Sequence, residues 1–287
     1  MTITPDCSIP GEDILLDIQP PSYVTIQGRK IAYNEVSPAQ PKGAILLLTG
    51  LAAKRLGWYK QLEVFGREYR TIALDHRDVG DSDPVSAPYR ITDQADDAAA
   101  VLRALGVTQA HIIGISMGGY IALELTLRHP ELVAKLVLVA TSAGGLSHAW
   151  PAPRMLLMLA RRGKQEVGEL TRRVYTQLMA PGYAESHPDE MARIVELGRY
   201  RPMTNDAYRR QLGAVLRHDV SRRLGQIKAP TLVIHGENDP LVVVQNGIHL
   251  AQRIPGARLI IYPNTGHIPI IERAERFNRD VLAFLGS

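Results

Sequence analysis

The sequence predicts an α/β fold: a mostly parallel sheet of eight strands with helices on both faces and a helical lid inserted after the sixth strand. Three observations carry this. Short apolar runs alternate with helical patterns from about residue 44 to residue 140 and again from residue 231 to the end, the order that builds right-handed strand–helix–strand crossovers. Between about Gly144 and Gly225 the apolar runs give way to helical patterns punctuated by Pro and Gly. The stretch Ala110 to Arg128, AHIIGISMGGYIALELTLR, passes from an apolar run into a helical one through a single serine.

Residues 22–36 alternate around Gln27-Gly28-Arg29-Lys30 and read as an antiparallel hairpin. Ala44-Ile45-Leu46-Leu47-Leu48 is apolar enough for a strand buried on both faces, and Trp58 to Tyr69 reads as a helix. Thr71 to Leu74 is the next strand, followed by the loop Asp75-His76-Arg77-Asp78-Val79-Gly80-Asp81-Ser82-Asp83-Pro84. Thr92 can cap a helix that runs to Leu105 and stops at Gly106. The serine strand and its helix end at His129-Pro130, and Leu136 to Ala140 forms the following strand.

Within the lid, helical patterns cover Met155–Arg162, Glu166–Met179, Glu190–Tyr200 and Asn205–Arg217. Thr231 to Ile234, a helix around Val243 to Ile254, Arg258 to Tyr262 and a last helix from Pro269 to Leu285 complete the order. The expected organisation is a core of residues 1–143 and 226–287 with a lid of residues 144–225 over the C-terminal edge of the sheet, where open α/β sheets hold their ligands.

Gly114-Ile115-Ser116-Met117-Gly118 fits the G-x-S-x-G pattern, with Gly119 behind it. A strand that feeds a helix through one serine forces that residue into a strained conformation, and its neighbours must be small. The strain lifts the Ser116 hydroxyl clear of the sheet and aims the Met117 N–H at any oxygen becoming negative beside it.

A serine hydroxyl needs a base to take its proton and a third group to orient that base. Of nine histidines only His267 lies in a loop directly after the last strand, between Gly266 and Ile268-Pro269. The acid belongs on the strand before it, where His235-Gly236-Glu237-Asn238-Asp239-Pro240 offers Asp239, with Glu237 as rival. The loop Thr141–Gly145 has no carboxylate, which favours Asp239. Gly50, after the first buried strand, lets the Leu51 N–H approach as a second oxyanion donor beside Met117, each donor contributing on the order of 3 kcal/mol.

Composition narrows the function. The chain has 287 residues, 45% of them hydrophobic and 22% charged, enough for a sizeable core without metals or disulfides. Cys7 is the only cysteine, so an intramolecular disulfide and a cysteine-based metal site are excluded. Acidic residues and prolines interrupt the first twenty positions, and the apolar runs are too short to span a bilayer, so a cytoplasmic protein without membrane partners is expected. The net charge is +4, and residues 147–225 hold 14 Lys and Arg against 8 Asp and Glu. Without interleaved aromatics this argues for solvated helix faces rather than nucleic-acid binding, with mild attraction of anionic ligands as the weaker reading.

Together, Gly50-Leu51, Asp75-His76-Arg77, Gly114 to Gly119, His235-Gly236-x-x-Asp239-Pro240 and Gly266-His267 resemble the α/β-hydrolase fold family, over nearly the whole chain from about Tyr23 to Leu285. The resemblance implies Ser116 as nucleophile, His267 as general base and acid, Asp239 as orienting acid, and Leu51 and Met117 as oxyanion donors, with no cofactor. Within the family the chain looks like the small bacterial esterase and enol-lactonase group. Asp75 to Gly80 with Leu56-Gly57-Trp58 is also similar to the polyketide methylesterases. Thr49-Gly50 departs from the His-Gly of many members, altering hydrogen bonds beside the oxyanion hole but not its backbone donor. Relatives that dehalogenate or open epoxides attack with aspartate, and Ser116 argues against both.

The expected activity is hydrolysis of small carboxylic esters through an acyl-enzyme, with a small ester or lactone and water as partners. A lactonase or C–C bond hydrolase could use the same residues, and a catalytically silent receptor of the same fold is the alternative from another class. The Arg-rich lid slightly favours acidic substrates. Trp150, Met155 and Leu159 are candidate substrate contacts, drawn from a wider apolar set with Leu156, Met158, Met179 and Met203; stripes of this kind at helical spacing more often pack inside a lid than face its pocket.

Overall fold

In the computed structural model, which describes residues 20–160 and 166–287, the alternating segment folds as the predicted hairpin, β1 (Ser22–Ile26) and β2 (Arg29–Val36). Its two-residue turn puts Gln27 at φ 49° and Gly28 at φ 79°, the positive pair that matches the twist of the flanking strands. Cys7 and the Arg161-Arg162 doublet lie outside the described residues.

Six further strands follow: β3 (Ala44–Leu48), β4 (Arg70–Leu74), β5 (Ala110–Ile115), β6 (Val133–Val139), β7 (Thr231–Gly236) and β8 (Arg258–Tyr262). The sheet order is β1-β2-β4-β3-β5-β6-β7-β8, antiparallel across the first two pairs and parallel from β4 to β8. Alternate residues of the central strands serve opposite faces. Leu46, Leu48, Ile112, Leu136, Leu138 and Val233 join one apolar cluster, while Ile45, Leu47, Ile113, Val137, Val139 and Ile234 join the other. Burying each such side chain contributes about 1.5–3 kcal/mol, so a two-faced apolar strand is stable only when helices cover both sides.

The covering helices differ from their sequence-level outlines where tertiary contacts intervene. The expected helix from Trp58 to Tyr69 is instead a 3₁₀ turn, Arg55–Trp58, and a short α1, Leu62–Gly66. The 3₁₀ turn is pinned by burial of Arg55, whose guanidinium pairs with Asp75 and, at 2.9 Å, with Asp81. The next helix, α2 (Ile91–Ala104), starts one residue before Thr92; the Asp93 carboxylate accepts the Arg90 N–H at 2.7 Å, so the cap comes from inside the first turn. Gly106, at φ 71°, closes it. The serine helix is α3 (Met117–Arg128).

Between β6 and β7 lie the helices of the insert, α4 (Pro153–Ala160), α5 (Val167–Leu178), α6 (Tyr183–Ser186), α7 (Pro188–Arg199) and α8 (Asn205–Leu216). The short α6 has no counterpart in the sequence reading, and Gly144 makes one isolated bridge to Asp219. After β7 and β8 come α9 (Gln245–Arg253), α10 (Pro269–Glu272) and α11 (Ala274–Leu285). The expected single last helix is broken at Arg273, where φ is −134°.

Close packing of α3 on the sheet explains the glycines around Ser116. A Cβ on Gly114 would lie 2.2 Å from Gly118 O, and one on Gly118 would lie 2.1 Å from Leu48 O and 2.6 Å from Thr49 O. Both neighbours are backbone and cannot swing aside. Gly118→Ala is therefore expected to destabilise the chain by about 3 kcal/mol. Gly225→Ala, whose Cβ would meet nothing within 4 Å, should stay within about 0.5 kcal/mol of the parent. Urea unfolding midpoints measure both, and equal midpoints would contradict this packing.

Candidate active site

The parallel register brings the C-terminal ends of five strands to one rim. Leu48 pairs with Gly114, Ile115 with Val139, Val139 with Ile234, and Gly236 with Tyr262. Four of the loops that leave this rim carry predicted site residues: Leu51 after β3, Ser116 and Met117 after β5, Asp239 after β7 and His267 after β8.

Ser116 sits at φ 55°, ψ −120°, a conformation that costs a non-glycine residue about 1–3 kcal/mol. Three hydrogen bonds hold it there. Its N–H donates to Val139 O at 2.9 Å, and its carbonyl accepts from Gly119 N at 2.9 Å and Thr141 Oγ1 at 2.8 Å. Met117 takes the first helical position of α3, where a backbone N–H has no intrahelical acceptor.

Asp239 and His267 meet. His267 Nδ1 lies 2.7 Å from Asp239 Oδ2, and both side chains are buried. Asp239 Oδ1 accepts the N–H groups of Leu241 and Val242 at 2.9 and 2.8 Å, which fix the carboxylate plane. Burial acts to raise the Asp239 carboxyl, but attraction to His267 and hydrogen bonds from His235 and His267 outweigh it and hold the group at about 2. An ionised carboxylate only accepts, so His267 Nδ1 carries a proton, and in the neutral imidazole Nε2 has the lone pair. The rival, Glu237, is exposed and its carboxylate takes the Asn264 N–H at 3.4 Å, away from the imidazole.

Two further histidines serve this frame. His235 Nε2 donates to Val242 O at 2.6 Å and lies 3.4 Å from Asp239 Oδ2. His76 Nε2 approaches Thr49 O at 3.2 Å, and burial pushes its imidazole down to about 4, so it is neutral. Thr49 turns its own hydroxyl to Ala53 O at 2.9 Å, closing the loop that holds Leu51.

Sequence reasoning did not find Glu272. Its carboxylate is buried and accepts N–H groups from Gly266 at 2.9 Å and Ile268 at 3.0 Å, on either side of His267, and from Ala180 of the insert at 2.8 Å. A glutamate between apolar Ile270-Ile271 and the break at Arg273 was the available signal, yet its partners are backbone groups that no side-chain pattern reveals.

Ser116, His267, Leu51 and Met117 all line one cavity of about 640 Å³ under the insert, within the range of small-molecule sites. Leu156, Met158, Leu159, Met203 and Trp150 line it too. Trp150 is 58% exposed, so it stands where the cavity meets solvent. Met155 departs from its expected role: it is buried in the apolar cluster on the Leu47 face of the sheet and is not among the lining residues, as is also true of Met179. One residue of α4 thus faces inward to packing while Leu156, Met158 and Leu159 face the cavity.

No arginine is among the described residues lining the cavity. Four of the insert's arginines are engaged elsewhere, Arg210 on Asp78, Arg199 on Glu166 and Glu196, Arg223 on Glu124 and Arg201 on Asp81. Among the described residues no cluster of His, Cys, Asp or Glu could hold a metal ion, and no helix is long and apolar enough to cross a membrane.

Residues 43–274 match the alpha/beta hydrolase fold family, and the chain belongs to it. It is 32% identical over 265 residues, covering 89% of this chain and 91% of the other, to a 2-hydroxy-6-oxononadienedioate/2-hydroxy-6-oxononatrienedioate hydrolase of Burkholderia vietnamiensis. It is 27% identical over 263 residues, 91% of this chain and 96% of the other, to 3-oxoadipate enol-lactonase 2 of Acinetobacter baylyi. Among solved structures it superposes on the enol-lactonase from Burkholderia xenovorans LB400 with a TM-score of 0.83 at 25% identity, over 93% of this chain and all of that one.

The lowered Asp239 carboxyl predicts a pH dependence. A carboxylate depressed below its ordinary value of 3.8 contributes stability that is present in full above about pH 4 and is lost as pH falls towards 2. Asp239→Asn should be less stable than the parent near pH 7, and the two unfolding free energies should approach each other as pH falls from about 4 and converge only near pH 2. Parallel curves across that range, from urea unfolding at stepped pH, would remove the coupling.

Proposed function

We propose that the chain is a serine hydrolase of small, uncharged, apolar carboxylic esters that works through an acyl-enzyme. The observation that carries this reading is the 2.7 Å contact of His267 with Asp239 in the same cavity that Ser116 lines from its strained turn. With Nδ1 committed to Asp239, Nε2 of His267 is the base. It takes the Ser116 proton as Oγ attacks the ester carbonyl, and the carbonyl oxygen becomes an oxyanion between the Leu51 and Met117 N–H groups. Collapse breaks the ester C–O bond, and His267 returns the proton to the departing alcohol. Water, deprotonated by the same imidazole, then attacks the acyl carbon, and the acid leaves as Ser116 recovers its proton.

The substrate class follows from the walls. Two of the relatives are named for dicarboxylic acids, a dienedioate and an oxoadipate. Such a ligand needs cationic partners deep in the site, because an unpaired buried carboxylate is strongly disfavoured. Among the described lining residues the cation is Lys54, and its Nζ already donates to Leu197 O and Gly198 O at 2.9 and 3.3 Å. Asp219 adds negative charge to the same wall. Leucine, methionine and tyrosine side chains suit an alkyl or aryl acyl group. An uncharged lactone fits the same account, since ring opening differs only in that the alcohol stays tethered to the acid.

Ser116→Ala should lower ester turnover on the order of 10⁴-fold or more while leaving the unfolding midpoint near the parent's. Unchanged turnover would refute the nucleophile. Along a p-nitrophenyl ester series, kcat/KM should rise about fourfold per acyl CH₂ until the cavity is full, the equivalent of about 0.8 kcal/mol per methylene. Faster turnover of a dianionic dienoate or a carboxylated lactone than of any of these esters would overturn the substrate assignment.

A further inference from the structure

The loop that carries Leu51 is a four-residue turn, Gly50-Leu51-Ala52-Ala53, closed by Ala53 N–H donating to Gly50 O at 3.2 Å. Ala52, its third residue, has φ 59°, whereas Leu51 is not among the residues with positive φ. That combination is a type II turn, whose third position ordinarily needs glycine. With alanine there, the unaided chain favours the type I form, in which the Leu51–Ala52 peptide is flipped. Something outside the turn must hold it.

The holder is Gln211, on α8 of the insert. Its side chain is fully buried, and Oε1 accepts the Ala52 N–H at 2.7 Å. Its Nε2 is buried with no hydrogen-bond partner among the described residues, so the bond to Ala52 is what the carboxamide provides there. The neighbouring Arg210 forms paired 2.9 Å bonds to Asp78, which fix α8 against the core. The turn it braces abuts Ser116: a Cβ on Gly50 would lie 3.3 Å from Ser116 Cβ and 3.8 Å from Oγ. Peptide planarity means that a flipped Leu51–Ala52 unit would send the Leu51 carbonyl oxygen to the side where the Ala52 N–H now points, oxygen facing Gln211 Oε1, so without the brace the loop would exchange between two forms.

We propose that Gln211 is a positioning residue that selects the type II form of the Gly50–Ala53 turn and so holds the loop carrying the Leu51 N–H in one conformation beside Ser116, making the docked insert a support of the oxyanion hole. The proposal rests on the serine-hydrolase reading for its kinetic consequence and on the turn geometry for its structural one. The insert also meets the other half of the site, since His267 N–H donates to Leu178 O at 2.7 Å.

The test compares Gln211→Met, which keeps shape and removes the acceptor, with Gln211→Glu, which restores an acceptor oxygen, and with Gln211→Met combined with Ala52→Gly. Gln211→Met should lower kcat for a p-nitrophenyl ester, and the rate at which a fluorophosphonate labels Ser116, by about 10–100-fold with KM within about twofold. Gln211→Glu should recover most of that loss. So should Ala52→Gly in the Gln211→Met background, because glycine adopts the type II form unaided. Amide exchange at Ala52 should be slow in the parent and fast in Gln211→Met.

Equal kcat in parent and Gln211→Met, or a loss that Ala52→Gly does not recover, would reduce Gln211 to packing. If neither variant folds, exchange in the parent still decides, and an unprotected Ala52 amide would overturn the proposal. A parent that neither turns over esters nor labels at Ser116 would sink the hydrolase reading instead, while the exchange pattern would continue to judge the turn.

Discussion

The backbone of Ser116 is the constraint on which the rest of this structure turns. A residue at φ 55°, ψ −120° persists only where its surroundings over-determine it, and here the sheet, the helix and the β6 loop each supply one bond. The same requirement brings α3 so close to the ends of β3 and β5 that Gly114 and Gly118 have no room for a methyl group. Strain at one position, small residues around it and a parallel register that aligns five strand ends are one physical arrangement seen from three sides.

Three buried carboxylates have a donor on each oxygen. Asp239 accepts two backbone N–H groups and an imidazole, Glu272 accepts three backbone N–H groups, and Asp75 accepts from Arg55 and the Asp81 N–H. A buried polar group left unpaired costs about 1–3 kcal/mol, and a charge more, so these carboxylates act as fixed braces for the loops around them. The cavity between the loops is the opposite case. Its walls are mostly apolar, with Ser116 and His267 joined by His148, His218, Lys54 and Asp219 as polar groups.

The insert is bonded into the core rather than laid over it. Arg210 grips Asp78, Tyr200 grips Asp81, Lys54 reaches the end of α7, and the strand-end loops carrying Leu51 and His267 each exchange a hydrogen bond with it. Ligand specificity and backbone geometry at the site therefore draw on the same helices. A change in the insert that reshapes the pocket also acts on the loops below it.

Much of this was legible in the letters. Two-faced apolar runs such as Ala44–Leu48 have no stable home except a helix-covered parallel sheet, and Gly-x-Ser-x-Gly at a strand–helix junction leaves few backbone solutions. Asp239 could be preferred to Glu237 by position alone. What sequence could not decide depended on partners distant in the chain. The split of 58–69 follows from Arg55 finding Asp75 and Asp81, and the start of α2 from Asp93 reaching back to Arg90. Met155 and Leu159 share one helical stripe, but only the packing of α4 turns one into the core and the other to the cavity. Counting arginines slightly favoured an acidic substrate, but where those arginines stand, as with Arg210 on Asp78, is set by the fold alone. Glu272 and Gln211 lie furthest from sequence reading because both bind backbone N–H groups. Those groups are the same in every residue but proline, so only the fold distinguishes them.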